Sequence, residues 1–125
     1  MTTNSALLCL ALNIYHEARG EPELGQIAVA MVTMNRADWL QENICSVVYK
    51  DQQFSWTNSR SELARQEHRA WRKAKTLAEE VINGDYPDVT LGATHFHSHR
   101  VLPSWSGSLE KTVRIGRHIF YTQAR

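Results

Sequence analysis

Gly20 and Pro22 lie two residues apart and split one long apolar stretch into two helices. A proline inside a helix removes a hydrogen bond and clashes with the preceding turn, so a single helix cannot run through this point. Upstream, Leu7, Leu8, Ala11, Leu12, Ile14, Tyr15 and Ala18 recur at helical spacing over Ser5 to Ala18. Thr3, Asn4 or Ser5 is placed to cap that helix, and Gly20 to end it as a left-handed C′ residue. Pro22 suits the first position of the next helix. Pro22 to Arg36 is apolar around most of its circumference through Leu24, Ile27, Ala28, Ala30, Met31, Val32 and Met34. That distribution predicts a central buried helix, with Met31 and Met34 filling core gaps.

The junction carries two carboxylates. Glu17 falls in the last turn of the first helix, where the dipole disfavours negative charge and raises a carboxyl pKa. Glu21 falls at the start of the second, where the same effect favours the ionised form. A Glu21 carboxylate nearby would push Glu17 further in the same direction. Two carboxyls with opposed environments are the pattern of acid/base chemistry at neutral pH. The plainer reading makes Glu21 a helix-start residue and Glu17 a member of a structural network. Arg19 would counter the shift if it folded back onto Glu17, and Asn35-Arg36 could brace the junction by hydrogen bonds.

Further along, Ala37 to Tyr49 reads as a turn and a short helix through Ile44, Val47 and Val48. Lys50 to Asn58 reads as a polar, aromatic loop around Phe54-Ser55-Trp56. An exposed tryptophan beside hydroxyls suits a sugar face; equally, Phe54 and Trp56 could anchor the loop in the core. Ser59 and Glu62 have capping-box spacing. The helix they start runs to about Asn83 and stops at Gly84. Its Arg65, Arg69, Arg72, Lys73 and Lys75 read as a solvated face in preference to a patch drawn to an anionic envelope. Asp85-Tyr86-Pro87-Asp88 is a turn cluster. Gly92 to Ser98 alternates as a strand, with Thr94, Phe96 and Ser98 on one side and Ala93, His95 and His97 on the other. Lys111 to Ile115 and His118 to Thr122 form two more strands, joined by Gly116-Arg117 in a type II′ hairpin. The expected architecture is α+β, mainly helical with a small antiparallel sheet, in one domain over residues 1–125.

Several classes are disfavoured. A formal net charge of +1 gives no overall field toward nucleic acid. No Walker or dinucleotide fingerprint is present, and no cofactor is expected. Cys9 and Cys45 lie in apolar contexts and read as two reduced, buried side chains, with no support for a disulfide between them. The run Ala6 to Leu12 is too short to span a membrane and lacks the features of an export signal, so it reads as a core helix.

The segment Ala11 to Pro22, with Gly25-Gln26-Ile27-Ala28-Val29-Ala30 and Asn35-Arg36, resembles the spore-cortex-lytic (SleB-type) cell wall hydrolase family. The resemblance continues in order through Val47-Val48-Tyr49, Phe54-Ser55-Trp56, Gly92 to His97, Pro103-Ser104-Trp105, Val113 to Gly116 and His118 to Tyr121. Two positions depart from it: His16 stands where glycine is more usual, and Ser98-His99 where Asn-Pro is.

The resemblance implies a lysozyme-like fold, peptidoglycan glycan strands as substrate, and Glu17 as the catalytic acid. The expected reaction cleaves the β-1,4 bond between N-acetylmuramic acid and N-acetylglucosamine by lytic transglycosylation, giving a 1,6-anhydro product from one catalytic glutamate. Glu21 would tune Glu17 or hold the loop. Tyr15, Ser55, Trp56, Thr94, His95, His97, Trp105 and Tyr121 are the candidate groove wall.

Rival readings are a hydrolytic muramidase using water with Glu21, a non-catalytic glycan-binding module, and a zinc amidase or peptidase. Zinc could draw on His95, His97 and His99, but no HExxH accompanies them, and no metal is expected. His68 and His118 have no functional case from spacing. The chain is expected to act as a monomer, made in the cytoplasm and acting on the cell wall. Release through a phage holin, or excision from a secreted enzyme, would bring it there.

Overall fold

The computed structural model describes residues 4–50 and 68–123. Ser55, Trp56, the capping pair Ser59 and Glu62, and Arg65 lie outside the described residues. Among the described residues, four helices, α1 (Asn4–Ala18), α2 (Glu23–Arg36), α3 (Gln41–Lys50) and α4 (His68–Ile82), precede β1 (His95–Ser98). A 3₁₀ turn over Ser104–Gly107 then leads to β2 (Leu109–Ile115) and β3 (His118–Gln123). The strands form one antiparallel sheet in the order β1-β3-β2. The α+β expectation therefore holds. None of the described helices is long and apolar enough to cross a membrane.

The core has two parts. Leu10, Ile14 and Tyr15 of α1, Met31 and Met34 of α2, Ile44 and Val48 of α3, and Leu77 and Val81 of α4 form the larger one. The smaller sets Ala28 and Val32 of α2 against Ala93, in the loop before β1, and Phe120 of β3. α2 touches α1, α3 and α4 as well as β1 and β2, which explains why its apolar residues run around its circumference. α1 and α2 are also joined by a buried polar pair, Thr33 Oγ1 donating to Asn13 Oδ1 at 2.8 Å. Such a pair fixes register, because sliding the helices would strand both groups away from water. Asn13 lies one turn before Glu17 on the same helix face, so the bond also sets where Glu17 points.

The junction is built differently from the sequence expectation. Gly20 is not left-handed: the backbone closes with Glu21 N–H donating to Ala18 O at 2.9 Å, and Gly20 has no positive φ. Pro22 is the N-cap residue at φ −57°, ψ 160°, so α2 begins one residue later than expected. Gly84 does end α4 in the left-handed region, at φ +79°. Gly116 has φ +58° while Arg117 is not left-handed, the φ pattern of a type II′ hairpin.

Cys9 and Cys45 form a disulfide, contrary to the reduced pair expected. α1 and α3 pack side by side, which brings the two Cα atoms to 5.3 Å although 36 positions separate them in sequence. Neither helix alone carries that information.

The first strand starts at His95, later than Gly92, because the preceding loop is organised by Asp88. Its carboxylate accepts from Thr90 N–H (2.8 Å), Thr90 Oγ1 (2.6 Å), Gly92 N–H (3.0 Å) and Asn35 Nδ2 (2.9 Å). Asn35 Nδ2 also donates to Ala93 O, so the end of α2 is tied to the start of β1. Leu91 (φ +58°) and Gly92 (φ +85°) are both left-handed in this loop, a conformation costly for leucine that the Asp88 bonds offset. Burial alone would raise the Asp88 pKa. The bonds from Thr90 and Asn35, with the Gly92 N–H, overcome that and hold it below the ordinary carboxylate value.

Asp88→Ala is accordingly expected to destabilise the fold by about 3 kcal/mol, because hydrogen bonds to a charged acceptor are lost and their donors stranded. Urea unfolding measures it. The depressed pKa adds a sign: this contribution is complete above the unfolded value of about 3.9 and is lost as pH falls through the folded one. The wild-type advantage over Asp88→Ala should therefore shrink in acid.

Candidate active site

A cleft of about 270 Å³ opens between the C-terminal end of α1, the last turns of α2 and the sheet. Glu17, Val32 and Arg36 line it from the helices, and Thr94, His95, Phe96, His97, Ser98 and His118 from the sheet side. Val101 and Trp105 complete the wall. β1 is an edge strand, so a cleft running along it meets side chains from both of its faces. A second hollow, about 380 Å³, continues from it through the shared residues Arg36, Thr94 and His95.

Glu17 is the penultimate residue of α1, half-buried, in the last helical turn as expected. Among the described residues lining this cleft it is the one carboxylate. Arg19 lies with its guanidinium 4.7 Å from the Tyr15 ring centroid.

Glu21 does not line the cleft. Its side chain is 7 % exposed and faces the β2–β3 hairpin, where it accepts from Arg117 N–H at 3.0 Å. Arg117 Nε lies 3.6 Å from the other carboxylate oxygen. A Cβ placed on Gly116 would collide with Glu21 Oε1, so glycine at the turn serves close approach as well as positive φ. Gln26 Nε2 donates to the Glu21 backbone carbonyl at 3.0 Å, tying the same residue to the first turn of α2. These contacts join the α1–α2 junction to the β2–β3 hairpin.

The expected groove wall divides. Thr94, His95, His97 and Trp105 reach the cleft. Tyr15 does not: it is 2 % exposed in the helical core, edge-on to Trp71. Its helical position marked it equally for the core, and the packing of α1 against α4 decided the matter. Tyr121 is also buried and acts behind the wall, its hydroxyl 3.0 Å from His97 Nε2. His97 Nδ1 lies 2.7 Å from Ser98 O. A carbonyl can only accept, so Nδ1 carries a proton, and Nε2 pairs with the Tyr121 hydroxyl. Both His97 nitrogens are thus engaged within the protein, and the ring is a fixed wall. Trp105 packs against His95, His97 and Tyr121 at centroid distances of 5.2, 5.7 and 5.4 Å, which holds the 3₁₀ turn onto the sheet.

Val32, Val101 and His118 reach the cleft without having been singled out from the sequence. For His118 a signal was present. In the hairpin register it shares a sheet face with Phe96 and Phe120 by strand alternation, but that this face would turn toward α2 could not be known beforehand.

Arranged this way, the cleft can hold a polar chain against an aromatic and imidazole wall, with a carboxyl at one side. Residues 20–121 match the profile of a family described as cell wall hydrolase, a span that begins three residues after Glu17. The chain is 32% identical over 114 residues to a spore cortex-lytic enzyme of Halalkalibacterium halodurans, covering 89% of this chain and 33% of that protein. It spans between a third and two fifths of the length of the curated relatives it matches. Two solved structures are similar. One is the catalytic domain of the germination-specific lytic transglycosylase SleB from Bacillus anthracis (TM-score 0.77, 26% identity, 96% of each chain). The other is the catalytic domain of Bacillus cereus SleB (TM-score 0.78, 26% identity, 98% of this chain and 93% of that one).

Proposed function

Because this chain belongs to the cell wall hydrolase family, we propose that it cleaves peptidoglycan glycan strands as a lytic transglycosylase, with Glu17 as its single acid/base. The observation that carries this reading is the cleft itself: Glu17 lines it, and Glu21 is turned away into the hairpin. Inversion through water uses two carboxyls roughly 6.5 to 9.5 Å apart across the scissile bond. Transglycosylation needs only one, because the attacking oxygen belongs to the substrate.

In the first half of the reaction, protonated Glu17 donates to the glycosidic oxygen. The C1–O bond breaks, and the N-acetylglucosamine side leaves with a free 4-hydroxyl. In the second half, the muramyl C6 hydroxyl attacks the oxocarbenium-like C1 and gives its proton to the Glu17 carboxylate. The acid is regenerated and no water is consumed. The end of a helix suits this cycle, since the partial negative charge there favours the protonated state that begins it. The Trp105 and histidine wall would take the apolar face of a sugar ring, while Thr94 and Ser98 offer hydroxyls to its edges. The Cys9–Cys45 disulfide supports work outside the reducing cytoplasm.

The test is the mass of soluble fragments released from purified peptidoglycan. Fragments lighter by one water than a reducing-end product, as an anhydro ring requires, are the expected result. Reducing-end products would overturn transglycosylation in favour of hydrolysis. Products cut only in the peptide would overturn the glycosidase reading altogether.

A further inference from the structure

We propose that His118 is a substrate-positioning residue of this cleft, whose Nε2–H donates to an oxygen of the bound amino-sugar chain. The proposal rests on the glycan-cleaving reading and adds to it a residue with no role in the proton transfers.

Three observations carry it. His118 lines the same cleft as Glu17. Its Nδ1 is buried without a hydrogen-bond partner. Its ring is held in place, edge-on to Phe96 at 5.0 Å and to Phe120 at 6.3 Å. The backbone is equally fixed, because His118 is the first residue of β3, paired with Ser98 on one side and Ile115 on the other. The residue before it is anchored through its N–H to Glu21.

The unpartnered nitrogen decides the tautomer. A buried N–H without an acceptor is more costly than a buried lone pair without a donor, so the proton belongs on Nε2. With Nδ1 sealed inside, the edge of the ring left to meet the cleft is the one bearing Nε2. Charge is decided by the surroundings. Burial pushes the imidazole pKa below its usual value; Glu21 opposes this, while Arg117, His97 and His99 act with it. The ring is therefore neutral at neutral pH, with one donor to offer. That donor suits the acetamido carbonyl or a hydroxyl oxygen of an N-acetylhexosamine. His97, two strand positions from Phe96's other neighbour His95, has no such capacity, because both its nitrogens are already engaged.

Glutamine and asparagine separate the two nitrogens, since the Gln amide reaches about as far as Nε2 and the Asn amide only as far as Nδ1. His118→Phe and His118→Asn are expected to lose about ten- to hundredfold in kcat/KM on solubilised glycan strands, the effect of one lost hydrogen bond. His118→Gln is expected to recover most of it. Equal activity of His118→Phe and wild type, or equal loss in the Gln and Asn variants, would overturn the proposal.

A readout independent of activity uses the Glu17→Gln protein with ¹⁵N-labelled histidine. The His118 ring should show the Nε2–H tautomer, and a GlcNAc–MurNAc tetrasaccharide should shift its Nε2 resonance. An Nδ1–H tautomer would refute the assignment. A tetrasaccharide that moves the Trp105 indole but not His118 would sink this proposal alone. One that moves neither would count against the glycan-binding reading on which it rests.

Discussion

Glu17→Gln is expected to lower the release of soluble fragments from purified peptidoglycan by about a thousandfold or more, within the range that positioned acid/base groups contribute. In the proposed mechanism the same carboxyl both delivers and recovers the proton, so an amide of equal size fails in both halves of the reaction. Folding should be unaffected, because Glu17 is half-buried at a helix end and its substitute has the same shape. An unchanged thermal melt beside the lost activity is therefore part of the expected result. Activity within tenfold of wild type would remove Glu17 from the centre of the mechanism. Glu21→Gln provides the contrast. An amide oxygen can still accept from Arg117 N–H, and the charge pair it abolishes involves an Arg117 side chain that is 70% exposed. Such pairs contribute about 0–1 kcal/mol, so activity should stay within about tenfold of wild type. A loss as deep as that of Glu17→Gln would instead bring back the two-carboxylate hydrolytic scheme.

The second large effect concerns the Cys9–Cys45 bridge. Reduction, or the double substitution Cys9→Ala with Cys45→Ala, is expected to destabilise the protein by about 3–4 kcal/mol, from the entropy that a closed loop of this length removes from the unfolded chain. The corresponding drop in Tm is roughly 10–15 °C for a domain of this size. Cys9 sits two turns before Glu17 on α1, and the bridge fixes that helix to α3. Urea unfolding with and without a thiol reductant measures the effect. The double variant supplies the control, since its midpoint should not respond to reductant. A wild-type midpoint equally indifferent to reductant would show that no such bridge forms.

The candidate site was legible in the sequence where it depended on local chemistry. Gly20 and Pro22 placed the helix break, and the break placed Glu17 in a last turn. Strand parity put His95 and His97 on one face and Thr94 on the other, and all three still reach the cleft because it meets side chains from both faces of an edge strand. Trp105 was named through the family resemblance, and its contacts with both histidines belong to the tertiary structure. Glu21 shows where such reasoning stops. Its position at a helix start is a local fact, but its partner is a hairpin backbone 96 positions away. No spacing within the junction predicts that contact, and on it rests our reading of Glu21 as a brace.

What the amino-acid sequence determined by itself is the order and character of the elements. Helical periodicity gave the helices, residue alternation the strands, and Gly116-Arg117 the hairpin, because each of these follows from backbone sterics and from which side must avoid water. Tertiary structure alone decided which helix faces meet. That choice buried Tyr15, joined Cys9 to Cys45, made Asp88 the organiser of the loop before β1, and placed His118 in the cleft that Glu17 lines. Each of these outcomes is a pairing between distant segments. An isolated segment carries a preference for its own conformation, whereas the partner of a side chain is selected only when the whole core closes around it.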